Sequence, residues 1–242
     1  MSAFAWSHNE FYHRLLLRQL PEHCRRVLDV GCGSGAFAAE LARHAEHVDA
    51  IDRSPDMIDG ALRSVPGNVS CILGDVRDWE LPDDGYDAIV SVTALHHVPL
   101  EETLPTLARA LRPGGVLAAV VLPRKDLREW PFELVAMLGQ RILAGLFFVL
   151  RTLGRGSWFA AGDDPAMPMV LDPPLTTREA RDAAAALLPG AQVRRLVYWR
   201  YFLVWHKPMD GPSELSVYET GEGNKETAEL SGDERVHRQP DR

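Results

Sequence analysis

The sequence predicts an α/β domain of the doubly wound kind, a mostly parallel sheet that ends in an antiparallel hairpin. Three observations carry this. From Arg26 onward short β-branched runs alternate with helical patterns, the arrangement that parallel strands and crossover helices require. A glycine-rich segment, Gly31-Cys32-Gly33-Ser34-Gly35, separates the first such run from the first helical pattern, where the backbone must turn sharply. The chain of 242 residues, 46% hydrophobic and 25% charged, is long and apolar enough for one well-buried core.

Val27 to Val30 reads as the first buried strand, Gly35 to His44 as a helix, His47 to Ile51 as the second strand and Pro55 to Arg63 as the second helix. Val69 to Leu73 is the third strand. Tyr86 to Val92 is the fourth, because Ala88, Ile89 and Val90 form the continuous apolar run of a strand covered on both faces. Leu100 to Leu111 is its helix, stopped by Pro113 and Gly114. Val116 to Leu122 gives a fifth strand, after which the alternation lapses from Pro123 to Pro174. Thr176 and Glu179 are spaced as a capping box for a helix through Leu188, which stops at Pro189 and Gly190. Val193 to Val197 and Arg200 to His206, joined only by Tyr198 and Trp199, form the hairpin. Beyond Pro208, Gly, Ser, Glu and Asp prevail, the composition of a disordered acidic tail. The expected organisation is a helical cap over residues 1–25, a main domain over 26–208 with an insertion at 123–174, and a tail over 209–242.

Composition narrows the function. With 34 acidic against 26 basic residues, a formal net charge of -8 and no basic cluster, a nucleic-acid partner is not expected. The three cysteines, Cys24, Cys32 and Cys71, lack metal-ligand spacing and read as reduced thiols of a cytoplasmic protein. No basic region followed by an apolar run opens the chain, so export is not expected. The most apolar stretch, Phe132 to Leu153, is broken by Glu133, Gln140, Arg141 and Arg151. It falls short of the ~18 consecutive apolar residues of a membrane span, so stable membrane insertion is not expected.

The chemistry concentrates in the turns after the strands. In Val27-Leu28-Asp29-Val30-Gly31-Cys32-Gly33-Ser34-Gly35 the glycines let backbone approach a ligand at a helix start. Asp52 closes the second strand, where a carboxylate can accept hydrogen bonds from both hydroxyls of a ribose. Dinucleotide enzymes share these features, although their glycine pattern is G-x-G-x-x-G rather than G-x-G-x-G. The discriminating segments are Gly74-Asp75-Val76, Tyr86-Asp87-Ala88-Ile89-Val90-Ser91 and Thr93-Ala94-Leu95-His96-His97-Val98. With these, the chain resembles the class I S-adenosylmethionine-dependent methyltransferases, especially the small-molecule enzymes that include those of quinone biosynthesis. The resemblance spans roughly Arg26 to Leu122 and extends to Leu111-Arg112-Pro113-Gly114-Gly115, the turn before the family's fifth strand.

That resemblance implies a Rossmann-like sheet of seven strands, with S-adenosylmethionine as cofactor and S-adenosylhomocysteine as product. It implies that the turn of Asp29, Gly31, Cys32, Gly33 and Gly35 holds the methionine part, that Asp52 holds the ribose, and that Asp75 meets the adenine amino group with Val76 packed on the ring. Arg53 and Met57, with Thr93, Ala94 and Leu95 beside the methionine chain, complete the expected cofactor set. The acceptor is expected to be a small, apolar or aromatic metabolite, and the protein a monomer or homodimer. A subunit that binds the nucleoside without catalysis is the alternative from another class. A nicotinamide-dependent oxidoreductase is disfavoured by the G-x-G-x-G turn and by the segments at Asp75 and Thr93 to His97.

Methyl transfer depends chiefly on alignment. Orienting two bound reactants supplies ~7–11 kcal/mol, whereas a general base adds ~10²–10⁴-fold. His97 is the base candidate because the family places the loop after the fourth strand beside the methyl group, and a histidine titrates in the useful range. His96 and His97 capping or packing the following turn is the competing reading. On a helix His8 lies over Tyr12 and Asn9 over His13, a polar stripe expected to cover the cofactor carboxylate, with Tyr12 a second catalytic candidate and His8 and His13 reaching the acceptor. Tyr198, Arg200 and Tyr201 of the hairpin and Trp130 of the insertion complete the expected acceptor site; aromatic residues in strands also serve simply as packing. The insertion itself reads as a lid, a dimer surface or a membrane-contacting segment, the lid being preferred.

Other signals are set aside. Asp172-Pro173-Pro174-Leu175 resembles the motif of amino-directed DNA methyltransferases, but leucine replaces the aromatic and the motif lies far from the fourth strand. Val92, Thr93 and Ala94 stand where a metal-assisted transfer needs acidic ligands, so no metal is expected. Cys32 is not expected to be a nucleophile, since the turn needs only a small side chain there.

Overall fold

The period-two alternation of Leu111–Val121 (β5) sends Val116, Ala118 and Val120 to one face of the sheet and Leu117, Ala119 and Val121 to the other, and both sets are buried. A strand buried on both sides needs a helical layer on each face, and the protein supplies both. The computed structural model describes residues 8–124, 173–196 and 199–209, together with residues 138, 139, 142, 145, 146 and 149, and side chains from residue 12 onward. In chain order come His8–Leu17 (α1), Cys24–Val30 (β1), Ala36–Leu41 (α2), Ala45–Asp52 (β2), Pro55–Ser64 (α3), Val69–Leu73 (β3) and Tyr86–Val92 (β4). A 3₁₀ turn at Leu95–His97 leads to Leu100–Ala110 (α4) and β5, and then come Thr177–Leu187 (α5), Gln192–Leu196 (β6) and Arg200–His206 (β7).

The seven strands lie in the order β3-β2-β1-β4-β5-β7-β6. All pairs from β3 to β5 are parallel, whereas β7 runs antiparallel between β5 and β6. Tyr12, Leu16, Phe37, Leu41 and Ile58 of α1 to α3 pack with Val27, Val90 and Val120 on one face. Leu100, Leu104 and Leu107 of α4 and Ala180 and Ala184 of α5 pack with Leu28, Ile89 and Leu117 on the other. Because strand order reverses between β1 and β4, the loops leaving their carboxyl ends diverge and open a crevice there.

Several boundaries differ from the sequence reading, for non-local reasons. β1 begins at Cys24 rather than Val27, because the Asp87 carboxylate accepts from the backbone N–H groups of Arg25 (2.8 Å) and Arg26 (2.9 Å). α2 ends at Leu41, short of the expected His44. β5 begins at Leu111, through the Pro113-Gly114 segment read as a turn. Gly114, at φ 77°, donates its N–H to the Lys207 carbonyl at 2.9 Å, and the Lys207 N–H returns to the Gly115 carbonyl at 2.9 Å. The capping box of α5 forms as expected: Glu179 N–H donates to Thr176 Oγ1 at 3.2 Å and Thr176 N–H to Glu179 Oε2 at 2.8 Å. Most of the 123–174 insertion and the tail beyond residue 209 lie outside the described residues. No helix among the described residues is long and apolar enough to cross a membrane.

Candidate functional site

The crevice is built by the four connections that leave the carboxyl ends of β1, β2, β3 and β4. After β1 the chain passes through Gly31 at φ 73° and Gly35 at φ 85°, both in the left-handed region that side chains disfavour. A Cβ on Gly31 would collide with that of Ala94, so bare backbone is what lets the tips of β1 and β4 meet. At Gly35 a Cβ would lie 2.7 Å from Val65 Cγ1 and 3.0 Å from Ala61 Cβ, so this glycine serves the packing of α2 on α3.

Asp52, at the end of β2, faces the turn. Its Oδ2 accepts from Gly33 N–H at 2.9 Å and its Oδ1 from Ser54 N–H at 2.9 Å, which fixes the carboxylate while leaving lone pairs on both oxygens. Asp75, after β3, is gripped by Arg77 through Nη2 at 2.8 Å, Nε at 3.1 Å and backbone N–H at 3.0 Å. The Arg77 side-chain bonds hold its carboxyl below the ordinary range. Thr93, after β4, takes φ 52°, a strained conformation for a β-branched residue. Its N–H donates to the Val120 carbonyl at 2.7 Å, which ties the tip of β4 to β5.

These connections frame an open cleft. Ten of the thirteen residues expected at the cofactor line it: Gly31, Gly33, Asp52, Arg53, Met57, Asp75, Val76, Thr93, Ala94 and Leu95. Asp29, Cys32 and Gly35 do not. Asp29 is 1% exposed, its Oδ2 has no hydrogen-bond partner, and burial, reinforced by Asp52, pushes its pKa up to about 7. Cys32 is buried, and burial, with Asp29 and Asp52 nearby, drives its thiol far up, so it supplies no thiolate.

A second cavity, of about 500 Å³, adjoins the first and shares Arg53, Leu95, His97 and Val98 with it. Leu100, Leu122, Leu175 and Tyr201 give it an apolar wall, and His96 lines it as well. His96 and His97 lie with ring centroids 4.1 Å apart. Burial first, then His97 and Arg200, pushes His96 down to about 3, and its buried Nδ1 has no partner. His97 is also lowered, chiefly by burial and then by Arg53. The sequence reading did not include His96 in the site; its neighbour's candidacy was the only signal.

Of the residues expected at the acceptor, His97 and Tyr201 reach this second wall. Tyr12 and His13 do not reach either cavity. Tyr12 is 2% exposed in the core between α1 and the sheet, with the Arg200 guanidinium 6.0 Å from its ring centroid. His13 turns to α2, with Nδ1 3.0 Å from Glu40 Oε1 and its ring 4.4 Å from that of Phe37. Arg200 is likewise off both walls. Trp130, Tyr198 and the side chain of His8 lie outside the described residues.

Residues 27–115 match the family model described as a methyltransferase domain. An uncharacterised methyltransferase of Mycobacterium tuberculosis is 34% identical over 208 residues, which cover 84% of this chain and 98% of that relative. The trans-aconitate 2-methyltransferase of Mycobacterium tuberculosis is 34% identical over 122 residues, 49% of this chain and 45% of the relative. Among solved structures, a SAM-dependent methyltransferase from Aquifex aeolicus shares the fold, with a TM-score of 0.52 and 18% identity over 80% of this chain and 88% of that one.

Proposed function

Because this chain belongs to the class I S-adenosylmethionine-dependent methyltransferases, we propose that it methylates a small, apolar or aromatic metabolite seated in the second cavity. S-adenosylmethionine is the methyl donor. The observation that carries the acceptor reading is that the two cavities meet at His97 and Leu95, one wall offering backbone and carboxylates and the other mostly apolar side chains. The relative named for trans-aconitate supports a small-molecule acceptor.

The residues present suit the donor. Gly31 and Gly33 line the cleft with backbone on which its amino-acid end can rest, and the unpartnered Asp29 Oδ2 just behind that turn is an acceptor whose charge favours an ammonium nearby. Asp52, steadied by two backbone N–H groups, retains lone pairs for ribose hydroxyls, while Met57 and Val76 give apolar surface for the base beside Asp75. When bound, the donor supplies an electrophilic methyl group on a sulfonium centre.

The chain's own part is to align the acceptor and exclude water, worth up to ~7–11 kcal/mol. His97 is neutral near pH 7, its pKa being lowered by burial, so it can accept a proton from an acceptor that carries one. Tyr12, sealed in the core, has no such role.

Titration calorimetry on the full chain tests the reading. S-adenosylmethionine and S-adenosylhomocysteine are expected to saturate one site, with Asp52→Ala weakening both by about 10- to 100-fold through lost charge-assisted hydrogen bonds. His97→Ala is expected to lower turnover ~10²-fold or more at near-normal donor affinity. Wild-type protein that binds neither nucleoside overturns the reading.

A further inference from the structure

The second cavity carries polar chemistry that alignment of an apolar acceptor does not use. Arg53 lines both cavities and makes no hydrogen bond or ion pair among the described residues. A guanidinium keeps its charge and five donors at any ordinary pH. Arg53 is exposed, and water satisfies its guanidinium in the open cavity, but a ligand that fills the cavity displaces water from the face it covers and must bring an acceptor of its own. His96 is the second such group. It is 8% exposed, its Nδ1 is buried without a partner, and its ring is braced against His97. The acidic member of the wall, Glu101, is exposed at the start of α4.

We propose that Arg53 and His96 form an anion subsite of the second cavity that takes the carboxylate of an otherwise apolar acceptor. The inference rests on the methyltransferase reading for the identity of that cavity as the acceptor's. A carboxylate offers two coplanar oxygens that match the guanidinium fork, and a neutral imidazole still has one N–H to donate. Leu122, Leu175 and Tyr201 shed water around the pair, which strengthens it. A neutral acceptor of the same shape offers Arg53 no charge to pair with, so the subsite favours the anionic one. The same arrangement moves Arg53 from the donor's side, where the family resemblance placed it, to the acceptor's.

The test uses full-chain protein saturated with S-adenosylhomocysteine, with benzoate as the anionic probe and benzyl alcohol as its neutral counterpart, followed by ¹⁵N-histidine NMR. Benzoate is expected to bind at least about tenfold more tightly than benzyl alcohol and to shift the His96 ring nitrogens. Arg53→Met is expected to weaken benzoate by about tenfold or more, and His96→Phe by roughly 3- to 10-fold. Equal or tighter binding of benzyl alcohol overturns the proposal without any variant, as does the absence of benzoate binding. A larger loss of S-adenosylhomocysteine affinity than of benzoate affinity in Arg53→Met returns the arginine to the donor and also overturns it. Failure of wild-type protein to bind S-adenosylhomocysteine is a separate result, and it strikes the methyltransferase reading instead.

Discussion

The two edges of the sheet treat buried charge in opposite ways. Toward the amino end, where Tyr86 opens β4 and Arg26 lies early in β1, the Asp49 carboxylate of mid-β2 is 4% exposed and fully engaged: Tyr86 Oη donates to it at 2.9 Å, Arg26 through Nε at 2.8 Å and Nη2 at 2.7 Å, and His47 Nε2 lies 3.1 Å away. Asp87 is similar. Burial would raise it, but the Arg26 and Arg25 backbone N–H groups and the Arg112 guanidinium outweigh burial and hold its carboxyl below the usual range. At the carboxyl end, Asp29 Oδ2 and His96 Nδ1 are buried without partners, and Thr93 stands at positive φ. One end uses its polar groups to hold strands together; the other leaves them unpaired, at a cost in stability.

That contrast can be broken by mutation. Asp49→Ala is expected to have the largest effect, a loss of about 3 kcal/mol of unfolding free energy, because Tyr86 loses its acceptor while the 41% exposed Arg26 falls back on water. Urea denaturation measures it, and donor affinity should stay unchanged. Asp29→Asn should act in the reverse direction. The folded-state pKa of Asp29 is raised above its unfolded value, so its ionisation destabilises the fold progressively from about pH 4 up through about 7. The asparagine variant is therefore expected to be more stable than the parent by about 2 kcal/mol at pH 8. The gain should vanish near pH 4, and donor affinity should fall. Equal pH profiles for the two proteins would place Asp29 among the satisfied groups and blur the contrast. Thr93→Gly is the mildest case, with a gain of about 1 kcal/mol on relief of the positive φ, read as a small rise in Tm.

His96 adds a pH signature at the same edge. Its folded pKa lies well below the unfolded value, so the unfolded chain binds protons that the folded chain refuses, and stability is lost as pH falls below about 6.5. His96→Phe is expected to flatten the denaturation profile between pH 6 and 4.

What the sequence made legible was local. The glycine turn and Asp52 lie within one β-α-β passage, and the strands were identifiable from β-branched runs. The capping box at Thr176 and Glu179 was readable because both partners lie three residues apart. Long-range partners were not readable. His13 looked like a site residue on a polar stripe, but Glu40, 27 positions on, draws it to α2. The start of β1 depends on Asp87, 62 positions from Arg25. Pro113-Gly114 continues into β5 because Lys207 pairs with it from the far end of the domain. Apolar alternation names a face of the sheet, but it does not say which side chain on another element will meet it.

The placement of β7 between β5 and β6 has a consequence for synthesis. While the ribosome is still making residues 122–199, the Val116–Val121 segment of β5 has one edge without its neighbour, since Val116 pairs with His206 and Val121 with Tyr201. An apolar edge left open in this way invites pairing with other chains. Nascent chains arrested before Arg200 should therefore aggregate or recruit chaperones, and release of Arg200–His206 should suffice to close the sheet.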